Sequence, residues 1–184
     1  MAAATHFQTV QKIYIAFYQR PADPAGLKYW ADRIDVAGGD ASAVVAAFAN
    51  SPEAVALYGT IDATTIGSVV DKIYMALFNK APDAAGKQFY VDGFNAGTFT
   101  PGTIALNVLN GAMGDDAVAV NNKVQVANSF TQQVDGRALT DAAFGTGGIS
   151  NATYKGDADA TAARDILKNV TSSPATLLNN AQVA

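Results

Sequence analysis

Residues 18–30 read "YQRPADPAGLKYW", and residues 78–90 read "FNKAPDAAGKQFY". The second stretch is the first displaced by sixty positions without a gap. Each has the chemistry of a joint between two helices. Pro21 biases Arg20 away from helical angles, so a helix ends near Tyr18 and Gln19. Asp23 then offers a carboxylate to the orphan N–H groups of a new helix, and Pro24 fills its first position, where no donor is needed. Gly26 and Gly86 fall on the third helical position. Glycine costs up to about 1 kcal/mol in a helix, so its use in both copies points to a close approach by a neighbouring helix or ring. Trp30 and Tyr90 follow one turn later, placed to pack back on the preceding helix. The stretch reads as an αα-corner, built twice.

The duplication extends on both sides. Val10, Lys12, Ile13 and Tyr14 align with Val70, Lys72, Ile73 and Tyr74, and Asp23 aligns with Asp83. Val10, Ile13, Tyr14, Phe17 and Tyr18 form the i, i+3, i+4, i+7, i+8 stripe of an amphipathic helix, and Val70, Ile73, Tyr74, Leu77 and Phe78 repeat it. Further stripes run through Leu27–Ile34, Val124–Val134 and Ala163–Val170. Ser51-Pro52, Thr100-Pro101 and Ser173-Pro174 each place a hydroxyl before proline, and Asp40, Asp62 and Asp83 can cap without one. Helices are expected near 5–19, 24–37, 41–50, 52–58, 62–79, 84–95, 101–113, 115–134, 158–170 and 174–182. Strand alternation does not persist; "AVAVNNKVQVANSF" at 117–130 is rich in β-branched residues but reads as helix. The expected fold is all-α: two related multi-helix units, about 8–60 and 68–122, packed together within residues 1–135. A Gly-rich loop over 136–157 leads to a C-terminal helix pair in 158–184. A period of sixty is longer than the common solenoid repeats, which favours two packed units over an array.

Composition removes several functions. The chain has 184 residues, 49% apolar, enough for a core. Only 15% are charged and the net charge is −4. No window is basic, so a nucleic-acid partner is not expected. No apolar run reaches the length of a membrane helix. There are no cysteines, which excludes disulfides, thiolate metal sites and cysteine nucleophiles. "MAAATHFQTVQK" lacks a basic stretch followed by an apolar run, so export, if any, reads another signal.

Few residues suggest chemistry. His6 is the sole histidine; without a second ligand or an activated nucleophile, an exposed or packing histidine is the better reading. "GDADATAARDILK" sets Asp157, Asp159 and Thr161 at alternate positions, as at the start of an EF-hand loop. Ala162 stands where that loop needs glycine, and Lys168 where it needs glutamate. Asp157 or Asp159 is therefore expected to cap a helix, as are Asp115 and Asp116. A weak calcium site at either pair stays open, as the one structural ion considered; no other cofactor is expected. "GTGG" at 145–148 is too short for a dinucleotide fingerprint. Tyr14, Tyr18, Trp30, Tyr74 and Phe78 suit either a core or a sugar-stacking face. Arg20, next to Asp23, suits a local ion pair or a contact with an anionic sugar or a neighbouring subunit.

The pattern "IYIAFYQRPADPAGLKYWADRI … AAFANSPEAVALY", with Arg20, Asp23, Gly26, Trp30, Ser51 and Glu53, resembles a family of bacterial helical domains without assigned activity. The second unit departs from it: Lys80 replaces Arg, Tyr90 replaces Trp, and "NGAMGDD" replaces the Ser-x-Glu element. "NNKVQVANSFTQQV" and "ARDILKNVTSSPATL" resemble closing segments of such domains. The family occurs in proteins exported by type I systems, often ahead of calcium-binding repeats, and is similar to the lipopolysaccharide-anchoring N-terminal domain of Caulobacter-type surface-layer proteins. The resemblance implies an extracellular, cell-surface role. The expected function is a non-enzymatic structural module of a surface layer or extracellular filament, self-associating and attached to lipopolysaccharide or another surface glycan. The alternative is a monomeric glycan- or protein-binding adaptor of a larger exported protein, and the 184 residues are compatible with a fragment of one.

Overall fold

The computed structural model describes residues 3–135 and 156–178. Among them every regular element is helical: α1 (Phe7–Tyr18), α2 (Pro24–Val36), α3 (Ser42–Ala49), α4 (Pro52–Tyr58), α5 (Ile66–Phe78), α6 (Ala84–Asn95), α7 (Ile104–Asn110), α8 (Asp115–Asp135) and α9 (Gly156–Lys168). Single 3-10 turns, Ala3–His6 and Pro174–Thr176, lie at the two ends. The Gly-rich stretch 136–157 lies outside the described residues except for Gly156 and Asp157, which open α9. No described helix is long and apolar enough to cross a membrane.

The corner forms twice with the same parts. Asp23 Oδ1 accepts the Gly26 N–H at 2.7 Å, and Asp83 Oδ1 accepts the Gly86 N–H at 2.8 Å. The helices before them close on left-handed caps, Gln19 at φ 57° and Asn79 at φ 57°, which return N–H groups to the carbonyls of Ile15 and Met75. Two non-glycine residues in a conformation that L-residues avoid, sixty positions apart, mark a shared backbone path. The correspondence reaches α3 and α7, where Val44 and Phe48, and Ile104 and Val108, are all buried.

α1 lies at the centre, packed against α2, α3, α4, α5, α7 and α8. Its buried set exceeds the predicted stripe, because Gln11, Ile15 and Ala16 are covered too. Gln11 is tolerated there because its amide is satisfied: Nε2 donates to Thr131 Oγ1 at 2.9 Å, and Oε1 accepts the Ala22 N–H at 2.9 Å. α5 packs on α1, α6, α7 and α8, so α8 bridges the two units.

Several ends differ from expectation, each for a local reason. α5 begins at Ile66 rather than 62, because Asp62 Oδ1 draws in the N–H groups of Thr64 and Thr65 at 2.8 and 3.0 Å and makes a turn. α7 begins at Ile104, after a turn in which Thr103 donates to the Thr100 carbonyl at 3.0 Å, so Thr100 is not its cap. Ser173 makes no side-chain cap. Of the helix expected over 174–182, the described residues contain one 3-10 turn, after which Leu177 is extended at φ −69°, ψ 118°; Thr176 Oγ1 accepts the Thr171 N–H at 2.9 Å and folds the turn back on itself.

Candidate functional site

The charged residues of the corner converge on one carboxylate. Arg20 donates from Nε to Glu53 Oε1 at 2.9 Å and from Nη2 to Oε2 at 3.1 Å, a two-point fork. Its Nη1 donates to the Pro21 carbonyl at 3.2 Å and lies 3.7 Å from Asp23 Oδ2. The guanidinium also rests 5.1 and 5.2 Å from the ring centroids of Tyr14 and Tyr18. Arg20 is only 7% exposed. Of the two readings of Arg20, the local ion pair is the one the structure shows, with Glu53 joining Asp23 as its partner. Ser51 Oγ, accepting the Ala54 N–H at 3.2 Å, starts α4 so that Glu53 meets the fork. Glu53 is the only glutamate beside fifteen aspartates. The extra methylene appears where reach decides the contact.

Glu53 serves a second cation that sequence reasoning missed. Arg164 of α9 donates to Glu53 Oε1, and its Nε donates to the Tyr18 carbonyl at 2.9 Å. In the second unit the fork gives way to a simpler pair, Lys80 Nζ to Asp116 Oδ1 at 2.7 Å. Asp116 is thus occupied by an internal cation, and it and Asp115 lie in the first turn of α8. Asp159 is not a cap, because α9 begins three residues earlier. Asp157 lies in the first turn of the same helix. Among the described residues no three His, Asp or Glu side chains come together as a metal cage. His6 joins the first turn to α2, its Nε2 3.5 Å from Asp35 Oδ1.

A cleft of about 670 Å³ opens where α9 crosses α1, α5 and α8. Ile15, Leu57, Met75 and Ala76 supply its apolar lining, and Lys72, Lys123 and Lys168 its amines. Lys123 is 1% exposed. Its Nζ donates to the Leu167 carbonyl in the last turn of α9, where helix carbonyls lack intrahelical partners and favour a cation. Asn79 and Asn122 serve the neighbouring carbonyls of Lys168 and Thr171. Burial pushes the Lys123 amine down to about 8. A signal for it existed in the sequence: Lys123 precedes Ala127 by four and Phe130 by seven, on a stripe otherwise apolar.

The predicted aromatics form the core margins. Phe48 stacks on Tyr18 at 4.5 Å and meets Tyr14 and Trp30 edge-on at 4.9 and 5.2 Å. Trp30 therefore packs on Phe48 of α3. Tyr90 reaches back, 6.3 Å from Tyr74. Tyr14 and Phe78 are buried, while Tyr18, Trp30 and Tyr74 are partly buried against the core. Exposed rings appear one residue earlier. Tyr29 is 48% and Phe89 62% exposed, at equivalent positions of α2 and α6. Each meets its neighbour edge-on, Tyr29 on Trp30 at 4.8 Å and Phe89 on Tyr90 at 5.2 Å.

Two overlapping stretches, residues 2–58 and 45–112, match the family described as a domain of unknown function (DUF4214). Together they span residues 2–112, more than half of the chain. No curated protein and no solved structure matches it.

Proposed function

The chain belongs to the family of the domain of unknown function DUF4214, and from that premise we propose that it is a non-enzymatic structural module of a bacterial cell-surface assembly, a surface layer or extracellular filament, that grows by self-association. The observation that carries this reading is the repeated exposed ring, Tyr29 in one unit and Phe89 in the other. Isolated exposed apolar residues are ordinary; a ring exposed at the same place in both units of a duplicated fold, with Arg33 over Tyr29 and Phe99 beside Phe89, offers a contact twice. One such contact per chain closes a dimer. Two per chain let association continue, and an association that does not close gives an array or filament. The scarcity of charge, 15% of residues, keeps repulsion between close-packed copies low. In this reading the module acts outside the cell, with surface glycan such as lipopolysaccharide as its support and calcium as an optional bridging ion.

Sedimentation and electron microscopy of the purified chain, with and without calcium, test the proposal. Ordered arrays or concentration-dependent oligomers are expected. A monodisperse monomer at high concentration in both conditions would overturn it, and a monomer that binds lipopolysaccharide would establish an adaptor instead.

A further inference from the structure

We infer that the cleft beneath α9 is a binding site for a small amphipathic anion, a carboxylate on a short apolar body, whose acid group meets the Lys123 ammonium. This does not rest on self-association. Three observations carry it. First, the cleft has the right size and lining: about 670 Å³, with Ile15, Leu57, Met75 and Ala76 as apolar walls. Sites for small organic ligands combine such walls with a few polar groups that fix orientation.

Second, the balance of charge in the cleft favours an anion. α5 contributes Asp71 and Lys72, α8 contributes Lys123, and α9 contributes Arg164, Asp165 and Lys168, while α1 offers only the uncharged Ile15 and Gln19. Asp71 is already paired with Lys87 at 2.6 Å, and Arg164 with Glu53. The remaining charges are Lys72, Lys123 and Lys168 against Asp165. A cationic lining in a chain of net charge −4 runs against its overall composition.

Third, Lys123 is buried with little compensation. Among the described residues its Nζ has one acceptor, the neutral Leu167 carbonyl, and no carboxylate. A buried ammonium in that state is costly, and one with a counter-ion is not. Lys72 similarly gives one N–H to the Tyr58 carbonyl at 3.3 Å, and an ammonium has three. A carboxylate entering the cleft accepts from Lys72 and, as the Lys123 side chain turns from the Leu167 carbonyl toward it, from Lys123, and its apolar body covers Met75, which is 53% exposed.

Isothermal titration with sodium octanoate tests the inference, with octanol and inorganic phosphate as separate probes. Octanoate is expected to bind one to one. Octanol and phosphate, each carrying half of the chemistry, are expected to bind at least tenfold more weakly. Binding should take up about half a proton per octanoate at pH 8, because the amine regains its charge beside the anion. Lys123→Met is expected to weaken octanoate at least tenfold and abolish the proton uptake. Ala76→Phe, which fills the cleft but keeps the amine, should also block binding and covers the case in which Lys123→Met fails to fold. No saturable octanoate binding, equal affinity for octanol or phosphate, or unchanged affinity in Ala76→Phe would each overturn the site.

Discussion

Gly26 and Gly86 hold the same place in their helices, yet an added methyl group meets different surroundings. A Cβ at Gly26 would lie 2.1 Å from Tyr14 Oη and 2.8 Å from Asp23 Oδ2. The Tyr14 ring is 3% exposed and cannot retreat. At Gly86 the nearest atom is Tyr74 Oη at 3.3 Å, on a partly exposed ring. Gly26→Ala should therefore lose about 2 kcal/mol in urea unfolding. Gly86→Ala should stay within about 0.5 kcal/mol of the parent or gain, since alanine loses less chain entropy. Equal losses would sink the close-packing argument. Lys123 makes a prediction of opposite flavour. Its amine is protonated up to 10.5 in an ordinary environment but only to about 8 in the fold. Between those values the unfolded chain binds more protons, so this residue makes stability rise with pH. The stability of the parent relative to Lys123→Met should increase by about 2 kcal/mol from pH 7.5 to 9.5. Tyr58, pushed up to about 12 by burial, acts in the other direction: the fold keeps a proton that the unfolded chain releases, so stability falls above pH 10. A flat difference between parent and variant across the window would contradict the burial of Lys123.

At the scale of elements, α9 buries Ala163 and Leu167 in the core and adds polar contacts at its side and its end. Arg164 ties it to Glu53 and Tyr18, and Lys123, Asn79 and Asn122 satisfy carbonyls at and beyond its last turn. Arg164→Ala should speed amide exchange in α9 while leaving α1 to α3 protected, because only the docking contact is lost. Glu53→Ala should do more. It strands Arg20, 7% exposed, without its fork, and should cost about 3 kcal/mol of global stability. If the two variants lose equal stability, Glu53 is not the hub of both arginines. The corner itself was legible from thirteen residues, since a cap, a proline and a glycine act within one turn. The anchors of α9 were not. Arg164 and Glu53 lie 111 positions apart, and no local pattern pairs a cation with one carboxylate among sixteen acids.

For the whole molecule, duplication has two consequences. It sets α1 and α5 side by side with α8 across both, and it exposes one ring per unit. Replacing one ring, Tyr29→Ser or Phe89→Ser, should stop growth at dimers, and replacing both should leave monomers, read by sedimentation at matched concentration. Arrays that survive the double substitution would place the contact elsewhere. The units are not equal copies, however. The first has the Arg20–Glu53 fork and the buried Tyr14, while the second has the more exposed Lys80–Asp116 pair, with Lys80 54% exposed at its side chain. The first unit also supplies the contacts to Arg164, which couples it to α9.

The sequence by itself determined the helices, the two corners and their common period, because capping, proline stereochemistry and the spacing of apolar residues act over a few neighbouring positions. It also ruled out cysteine chemistry, since the chain has no cysteine. The tertiary structure alone decided which polar residues are used up and which are left. Arg20 could be exposed or buried on sequence evidence, until α4 delivered Glu53 to it. Lys123 was one lysine among others until α9 closed over it. Burial and pairing depend on residues distant along the chain, and only their packing assigns each charge its partner and its dielectric surroundings.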